Sequence, residues 1–395
     1  MTDAPRPLTL LLTAGEASGD RLGAELMQAL KAALPDRSLR FIGVGGAQMA
    51  GEGLKSLFNL SQLSVLGLFE GLKAWPRIVA RAKDVAALAA REKPDAAILI
   101  DSWGFSLRVA TRIRKASPGT RLLKYVGPQI WASRPGRARV LAAAVDRLLS
   151  TQSMDAPFYT PLGLSVSFVG NPVVARDVAQ LDPARARAAL GLRADQPLLL
   201  ILPGSRKAEI EKLAEVFGEV AGLVKPRHPG LAVVVIVAPT IDRLLVEKLQ
   251  KWPVEAIVFR GDETQKFDLM AAATVALAAS GTVTTELGLA GAPVVVAYRV
   301  GALTALIAKR IVTTKWATLM NIALGREVVP EFIQEACTAR ALAEAIDQRL
   351  RDPALRARQV AEQTLALQQM GRGAGDPSAR AAQAVIADLR EAGKL

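Results

Sequence analysis

Short apolar runs alternate with longer amphipathic segments along most of this chain. The short runs have the length and composition of buried strands, whereas the longer segments carry the apolar spacing of helices. Strands are predicted at residues 8–13, 39–43, 96–100, 122–126, 147–150, 167–169, 198–202, 231–237, 256–259, 275–278 and 294–298, and the clearest early helices at 20–31 and 76–93. Strands that alternate with helices are typical of parallel sheets, so the pattern predicts an α/β fold.

The same pattern divides the chain into two halves. The segment 171–196 contains proline breaks and is predicted to connect them. We therefore expect a doubly wound, Rossmann-like domain in residues 1–175 and a second one in residues 176–345, facing each other across a cleft. The helical segment 346–395 is expected to pack back on the first domain.

Cysteine and histidine are nearly absent. The 395 residues include one cysteine, Cys337, and one histidine, His228. An internal disulfide framework and a cysteine-cluster metal site are therefore excluded, and zinc sites built from histidine pairs are disfavoured. His228 lies in the turn-like sequence KPRHPG and is expected to be a solvated loop residue. The low cysteine count favours a reducing, cytoplasmic setting.

The formal net charge of +13 favours an anionic partner. Nucleic acid is disfavoured, because no segment interleaves basic with aromatic residues and no zinc-finger or RNP pattern occurs. An anionic lipid surface fits better, since residues 63–83 and 299–315 combine apolar with basic side chains. The alternative, particularly for 299–315, is a core-facing helix with a solvated basic face. No apolar stretch is long enough to span a bilayer and the N-terminus lacks a secretory signal pattern, so a soluble or peripheral protein is expected.

The most informative segment begins directly after the predicted strand 275–278. Ser280, Gly281 and Thr282 form a glycine-hydroxyl turn that opens a predicted helix, so free backbone N–H groups there suit a phosphate. Glu286 follows one helical turn later and can accept hydrogen bonds from a ribose diol. The turn and the carboxylate together indicate a nucleotide site, and the alternative is an ordinary capped helix.

A second anion-receptive loop follows the predicted strand 198–202. Gly204 allows close approach of a ligand to the backbone, Ser205 adds a hydroxyl, and Arg206 offers a bidentate fork to phosphate oxygens. Two such loops in the second half resemble the donor site of nucleotide-sugar enzymes.

Carboxylates follow two strands of the first half. Glu16 and Asp20 lie in the turn GEASGD, and Asp101 ends the predicted strand 96–100. A carboxylate at this edge of a sheet can accept a proton from a hydroxyl, although helix capping is the alternative role. The chain has neither GxGxxG nor a P-loop, so dinucleotide binding and ATP hydrolysis lack their usual residues.

Six motifs taken together resemble the lipid-A-disaccharide synthase family, glycosyltransferase family 19. They are GEASGD (15–20), YVGPQIWAS (125–133), FVGNP (168–172), LPGSR (202–206), SGTVTTELGLAGAPVVVAYR (280–299) and MNIALGREVVPEFIQE (320–335). The resemblance implies a GT-B glycosyltransferase of lipid A biosynthesis that joins UDP-2,3-diacylglucosamine to 2,3-diacylglucosamine 1-phosphate, forming a β-1′,6 disaccharide and releasing UDP. It also implies a homodimer, bound peripherally to the cytoplasmic face of the inner membrane, that needs neither metal nor cofactor.

The resemblance also implies roles for single residues. Arg206, Glu286, Asn321 and Gln334 would lie in the UDP site, and Asp101 and Glu16 would face the acceptor. The family usually has a proline and a second aspartate shortly after the position of Asp101, where this chain has Trp103 and Gly104.

The residues predict an inverting transfer in which Asp101, or alternatively Glu16, accepts the proton of the acceptor hydroxyl. Arg206 and the N–H groups of residues 280–282 would stabilise the departing diphosphate, with Glu286 on the ribose. A UDP-sugar 2-epimerase of the same fold is one alternative. A UDP-sugar binding protein without catalytic activity is another.

Overall fold

The computed structural model describes residues 6–63, 68–301, 305–306 and 310–395, and the side chains of residues 68–74 also lie outside the description. Parts of the two predicted lipid-facing segments, 63–83 and 299–315, therefore fall outside the described residues. The chain forms two compact units. Unit 1 consists of Met1–Pro172 and Ala374–Leu395, and unit 2 consists of Val173–Gly373.

Unit 1 is built on a seven-stranded sheet in the order β3-β2-β1-β4-β5-β6-β7, in which every neighbouring pair is parallel. Its strands are β1 (Leu8–Thr13), β2 (Leu39–Val44), β3 (Lys55–Ser56), β4 (Ala96–Ile100), β5 (Arg121–Tyr125), β6 (Arg147–Ser150) and β7 (Ser165–Phe168). Its described helices are α1 (Ala17–Ala33), α2 (Ala47–Gly51), α3 (Leu68–Glu92), α4 (Trp103–Ala116), α5 (Arg137–Ala142), α6 (Ala156–Tyr159) and α15 (Pro377–Glu391).

Unit 2 is built on a six-stranded parallel sheet in the order β10-β9-β8-β11-β12-β13. Its strands are β8 (Leu198–Leu202), β9 (Ala232–Ile236), β10 (Ile257–Phe259), β11 (Val275–Ala279), β12 (Val294–Tyr298) and β13 (Glu331–Ile333). Its described helices are α7 (Pro183–Ala189), α8 (Lys207–Val224), α9 (Asp242–Leu249), α10 (Glu263–Ala272), α11 (Thr282–Leu289), α12 (Leu319–Leu324), α13 (Ala339–Arg351) and α14 (Pro353–Gln369).

The central strands are buried on both faces. Every residue of β1, β4, β8 and β11 is buried, because helices cover each sheet from two sides. Parallel strands of this kind are continuous apolar runs rather than alternating ones, which is why the short runs located them in the sequence. The predicted α/β fold with two parallel sheets is confirmed.

The last helices divide between the two units. The apolar residues of α13 and α14 pack in the cores of unit 2, and Gln359 and Gln363 donate to the carbonyls of Val294 and Ala292 at 2.8 and 2.9 Å. Only α15 lies in unit 1, where Ala381, Val385 and Leu389 join the core around β1. From the sequence, the C-terminal segment was expected to pack back on the first domain from residue 346 onward. In the structure, the chain returns to unit 1 only at residue 374.

Candidate active site

In each unit the strand order reverses beside the first strand. Strand β1 lies between β2 and β4, and β8 lies between β9 and β11. Ligands of open α/β sheets bind at the carboxyl ends of strands at such a reversal. The four candidate loops follow these central strands. Glu16 follows β1 and Asp101 follows β4, while residues 204–206 follow β8 and 280–282 follow β11.

A cavity of about 560 Å³ opens at the reversal in unit 2. Loops after β8, β9, β10 and β11 line it, as the parallel arrangement requires. The cavity brings together seven of the predicted donor-site residues, which are Gly204, Ser205, Arg206, Ser280, Gly281, Thr282 and Glu286. Its apolar wall includes Ile236, Pro239 and Phe259.

The loop after β8 is fixed by Glu209. The Glu209 carboxylate accepts from the backbone N–H groups of Ser205 and Arg206 at 2.9 and 3.2 Å. Gly204 has a φ of +119°, and a Cβ there would lie 2.3 Å from Glu209 Oε2, so glycine is required. Glu209 also holds the Arg206 guanidinium at 3.3 Å, but the Arg206 side chain remains 83% exposed. The arginine is thus anchored at its backbone and free to meet an anion.

The loop after β11 presents the N-terminus of α11. Ser280 is half-buried and anchored, because its N–H donates to the Ala297 carbonyl at 3.1 Å and its hydroxyl to the Ala317 carbonyl at 3.1 Å. Gly281 caps the helix, and Thr282 and Val283 line the cavity. The first N–H groups of a helix have no partner within it, so this end of α11 can receive an anion.

Glu286 belongs to a charged network that the sequence did not reveal. Lys266 Nζ lies 2.7 Å from one Glu286 oxygen, and Arg176 lies 3.9 Å from the other. The same two cations reach Glu263, at 3.6 and 2.5 Å. Burial tends to raise the pKa of Glu263, but the Arg176 hydrogen bond and the Lys266 charge lower it overall. Lys266 lies near the start of α10, the helix that follows β10, and this position was the available signal, since the segments that follow neighbouring parallel strands meet at one edge of the sheet.

Asn321 and Gln334 are placed differently from the other candidates. Asn321 is fully buried, donates to Val329 and Glu331 at 2.8 Å, and accepts from two backbone N–H groups. Gln334 Oε1 accepts from the Val300 N–H at 2.7 Å. In the described part of unit 2, neither residue lines the cavity. The Asn321 amide therefore has no donor or acceptor capacity left for a ligand in this conformation.

Asp101 and Glu16 begin neighbouring loops of unit 1. Asp101 and Ser102 both adopt the left-handed conformation, with φ values of +46° and +42°. The turn at Gly15 approaches so closely that a Cβ there would lie 2.4 Å from Ser102 Cβ. Glu16 is exposed and Asp101 half-buried. Asp20, by contrast, is buried and accepts from the N–H groups at the start of α2, so its role is structural.

A buried lysine supports the Asp101 loop. Lys124 Nζ donates to the carbonyls of Leu99, Asp101 and Tyr125 at 3.1, 2.5 and 3.2 Å. Burial lowers the pKa of Lys124 to about 7, and the charge of Asp101 opposes this shift. Lys124, a basic residue between apolar neighbours in the strand RLLKY, was the signal for this interaction. Lys124 ties the ends of β4 and β5 together beneath Asp101.

Comparison with known proteins identifies the family. The model of a family described as Lipid-A-disaccharide synthetase matches residues 10–385. The chain belongs to this family. It is 41% identical over 381 residues to the lipid-A-disaccharide synthase of Rhodospirillum centenum, covering 96% of this chain and 94% of that one. It is 39% identical over 386 residues to that of Paramagnetospirillum magneticum, covering 97% and 98%. The chain is therefore a glycosyltransferase of lipid A biosynthesis.

Solved structures with low sequence identity to this chain share its fold. A putative UDP-N-acetylglucosamine 2-epimerase from Listeria monocytogenes superposes with a TM-score of 0.60 at 13% identity, covering 98% of this chain and 96% of that one. The calicheamicin glycosyltransferase CalG4 superposes with a TM-score of 0.58 at 16% identity, covering 98% and 99%. These likenesses confirm the predicted GT-B fold class.

Two features are absent from the described residues of this glycosyltransferase. No group of three or more His, Cys, Asp or Glu side chains there could hold a metal ion. Among the same residues, no helix is both long and apolar enough to cross a membrane.

Proposed function

We propose that this enzyme joins UDP-2,3-diacylglucosamine to 2,3-diacylglucosamine 1-phosphate, giving the β-1′,6-linked disaccharide 1-phosphate and UDP with inversion at the donor sugar. One observation supports the donor half above all others. An exposed arginine, a helix N-terminus and a carboxylate surround one cavity at the strand-order reversal of unit 2. These are the groups that a nucleoside diphosphate needs.

Arg206 and α11 stabilise the leaving group. Transfer of the sugar leaves negative charge on the UDP diphosphate, and catalysis improves when donors already face that charge. The Arg206 guanidinium supplies a mobile bidentate fork, and the N–H groups at the start of α11 supply fixed dipoles. Ser280 positions the turn through its bonds to Ala297 and Ala317 rather than by contacting the ligand.

Glu286 binds the ribose diol, and Lys266 makes this possible. A free carboxylate beside a diphosphate would repel it, and the repulsion is strong at low dielectric. Lys266 lies 2.7 Å from Glu286 and compensates its charge, while leaving the second carboxylate oxygen for a hydroxyl. The network of Arg176, Glu263, Lys266 and Glu286 contains two charges of each sign, so it adds no net charge to the cavity wall.

Asp101 is the general base, with Glu16 as its rival. In either case the carboxylate takes the proton of the acceptor 6-hydroxyl as that oxygen attacks the sugar C1 from the face opposite UDP. The fixed backbone of Asp101 favours it, because a base must be held at hydrogen-bonding distance from the attacking oxygen. The enzyme acts as a homodimer, bound peripherally to the cytoplasmic face of the inner membrane.

Product analysis tests this function. The purified protein is incubated with the diacylated donor and acceptor, and the mixture is analysed by mass spectrometry for disaccharide and UDP. The Arg206→Ala variant should both bind UDP more weakly and turn over more slowly, since it loses a contact to the diphosphate. Conversion of the UDP-sugar without acceptor would indicate a 2-epimerase instead. UDP binding without any product would indicate a binding protein.

A further inference from the structure

An arginine stacked on a tryptophan flanks the start of α4. The Arg108 guanidinium lies 3.7 Å from the centroid of the Trp75 ring, and Trp75 is 52% exposed. Arg108 Nη1 also donates to the Gly104 carbonyl, one turn earlier in the helix. The ring and the carbonyl hold the guanidinium in one position, which lowers the entropy that an incoming ligand must remove.

Arg108 and its neighbour Arg112 lack an acidic partner among the described residues. The Arg112 guanidinium donates to the backbone carbonyl of Arg108 at 3.1 Å, and residues four apart lie on the same face of a helix. By contrast, Arg114 on the same helix forms a salt bridge with Asp146 at 2.8 Å. Burial and, after it, repulsion by Arg112 lower the pKa of Arg108. An anion placed between these two cations would relieve that repulsion.

The Arg108 guanidinium lies close to the loop that carries Asp101. Because Arg108 bonds to Gly104, its charged group lies at the first turn of α4. Gly104 follows Asp101 by only three residues, and Asp101 and Ser102 form the left-handed turn that leads directly into α4. A second arginine, Arg137, lies over the Trp103 ring at 5.2 Å on the same turn. Positive charge therefore lies at the end of α4 that directly follows the candidate base.

The proposed acceptor carries its reacting hydroxyl on C6, next to C5, and its phosphate on C1, and C1 and C5 are the two ring carbons beside the ring oxygen. A base at the hydroxyl thus requires a phosphate site close by, within the reach of the same sugar residue. We propose that Arg108, assisted by Arg112, binds the phosphate monoester of the acceptor. This inference rests on the proposed function and assigns one subsite within it. Arginine suits this role, because its planar fork matches phosphate oxygens and its face stacks on Trp75.

The test uses two acceptors, the 1-phosphate and the same diacylglucosamine without phosphate. For the Arg108→Gln variant, KM for the phosphorylated acceptor should rise about 10- to 100-fold, the loss expected for a charged hydrogen-bonded contact. The donor KM should stay unchanged, and so should kinetics with the unphosphorylated acceptor. Arg108→Lys keeps the charge but loses the fork, so it should show a smaller rise.

Lys115→Gln is the matched control, because it removes one positive charge from the exposed end of the same helix. It should leave both acceptor KM values unchanged, and thermal unfolding of each variant reports whether it folds. If Arg108→Gln and Arg108→Lys still prefer the phosphorylated acceptor as strongly as the wild type does, the subsite is wrong. If the wild type makes no disaccharide from either acceptor, the proposed function is wrong, and the phosphate subsite, which depends on that function, is wrong as well.

Discussion

At the scale of single residues, Asp101 combines a left-handed backbone with three hydrogen bonds to it. Its N–H donates to Tyr125, and its carbonyl accepts from Lys124 and Ser106. A left-handed non-glycine residue costs about 1–3 kcal/mol and persists only where its surroundings hold it. The carboxylate is thereby presented in a fixed direction.

Changing Asp101→Asn should keep this geometry and remove the proton-accepting group. We expect kcat to fall by roughly 10² to 10⁴ while UDP affinity is retained, because the residue is assigned to the acceptor reaction. Steady-state kinetics and UDP titration measure the two quantities. The comparison is Glu16→Gln on the neighbouring loop. Near-normal turnover of Asp101→Asn together with an inactive Glu16→Gln would transfer the role of base to Glu16.

A second residue-scale prediction concerns the buried carboxyl group of Asp155. Burial raises its pKa to about 6, although Ser150 and Trp131 donate hydrogen bonds to it. A raised pKa means that the folded state holds the proton more tightly, so stability is lost as pH rises through 6. The free energy of unfolding should fall by about 2 kcal/mol between pH 4 and 7 from this group.

The Asp155→Asn variant should lack this part of the pH dependence, because the amide does not titrate. Denaturant unfolding at several pH values measures it, and Trp131 fluorescence provides a second signal, since its indole N–H bonds to the carboxyl oxygen at 3.1 Å. Parallel pH profiles of wild type and variant would contradict the assignment.

The sequence could predict which polar residues follow the ends of strands, but it could not predict which side chains they pair with. The positions of Arg206 and Glu286 follow from strand boundaries, since loops after neighbouring parallel strands must meet. The pairing of Glu286 with Lys266 depends on the rotation of α10, which a single sequence does not reveal. Asn321 was predicted to contact the ligand from its motif. In the structure its side-chain oxygen accepts from the N–H groups of Val328 and Val329, and a sequence motif does not reveal such backbone partners.

At the scale of elements, the buried strands could be located from the sequence, whereas two short edge strands could not. Strands β1, β4, β6, β8 and β12 have the predicted bounds, because each is an uninterrupted apolar or nearly apolar run. The edge strands β3 and β13 were missed, since they are short and lack buried residues. Helix α3 includes residues before Pro76, where a helix start had been predicted. A proline is tolerated inside a helix when packing outweighs the lost hydrogen bond.

Helix α15 is held to the sheet of unit 1 by a buried carboxylate. Asp388 is fully buried and receives Arg121 at 2.8 Å and Arg147 at 3.0 Å. Burial alone would raise the pKa of Asp388, but the hydrogen bonds from both arginines lower it overall. Its stabilising contribution is therefore present above the ordinary aspartate pKa and is lost as pH falls through the lowered value.

Asp388→Asn should destabilise unit 1 by about 3 kcal/mol, because two partly buried arginines lose their shared buried counter-charge and keep only the more exposed partners Asp146 and Glu391. Denaturant unfolding followed by circular dichroism measures this change. The control is Glu247→Gln, which breaks an exposed pair with Arg243 in unit 2 and should change stability by less than about 1 kcal/mol. Equal effects of the two substitutions would mean that α15 is held by its apolar face alone.

At the scale of the whole molecule, the net charge of +13 leads to a prediction about surfaces. Binding to anionic vesicles should be reversible and should weaken at high salt, because screening shortens the reach of charge interactions. Co-sedimentation with anionic and neutral vesicles at low and high ionic strength tests it. Equal binding to both kinds of vesicle would contradict the electrostatic contribution.

The division of unit 1 between the two ends of the chain also determines the order in which the protein can fold during synthesis. Residues 173–373 form one continuous unit and can fold as soon as they leave the ribosome. Unit 1 begins to emerge first, yet its core lacks Ala381, Val385 and Leu389 until α15 has been made. The sheet around β1 must therefore wait, with one apolar face covered by α1 but not yet by α15, while about half of the chain is still being translated. We expect the first-made half to be the last to become resistant to protease, and to depend most on chaperones that shield apolar surface.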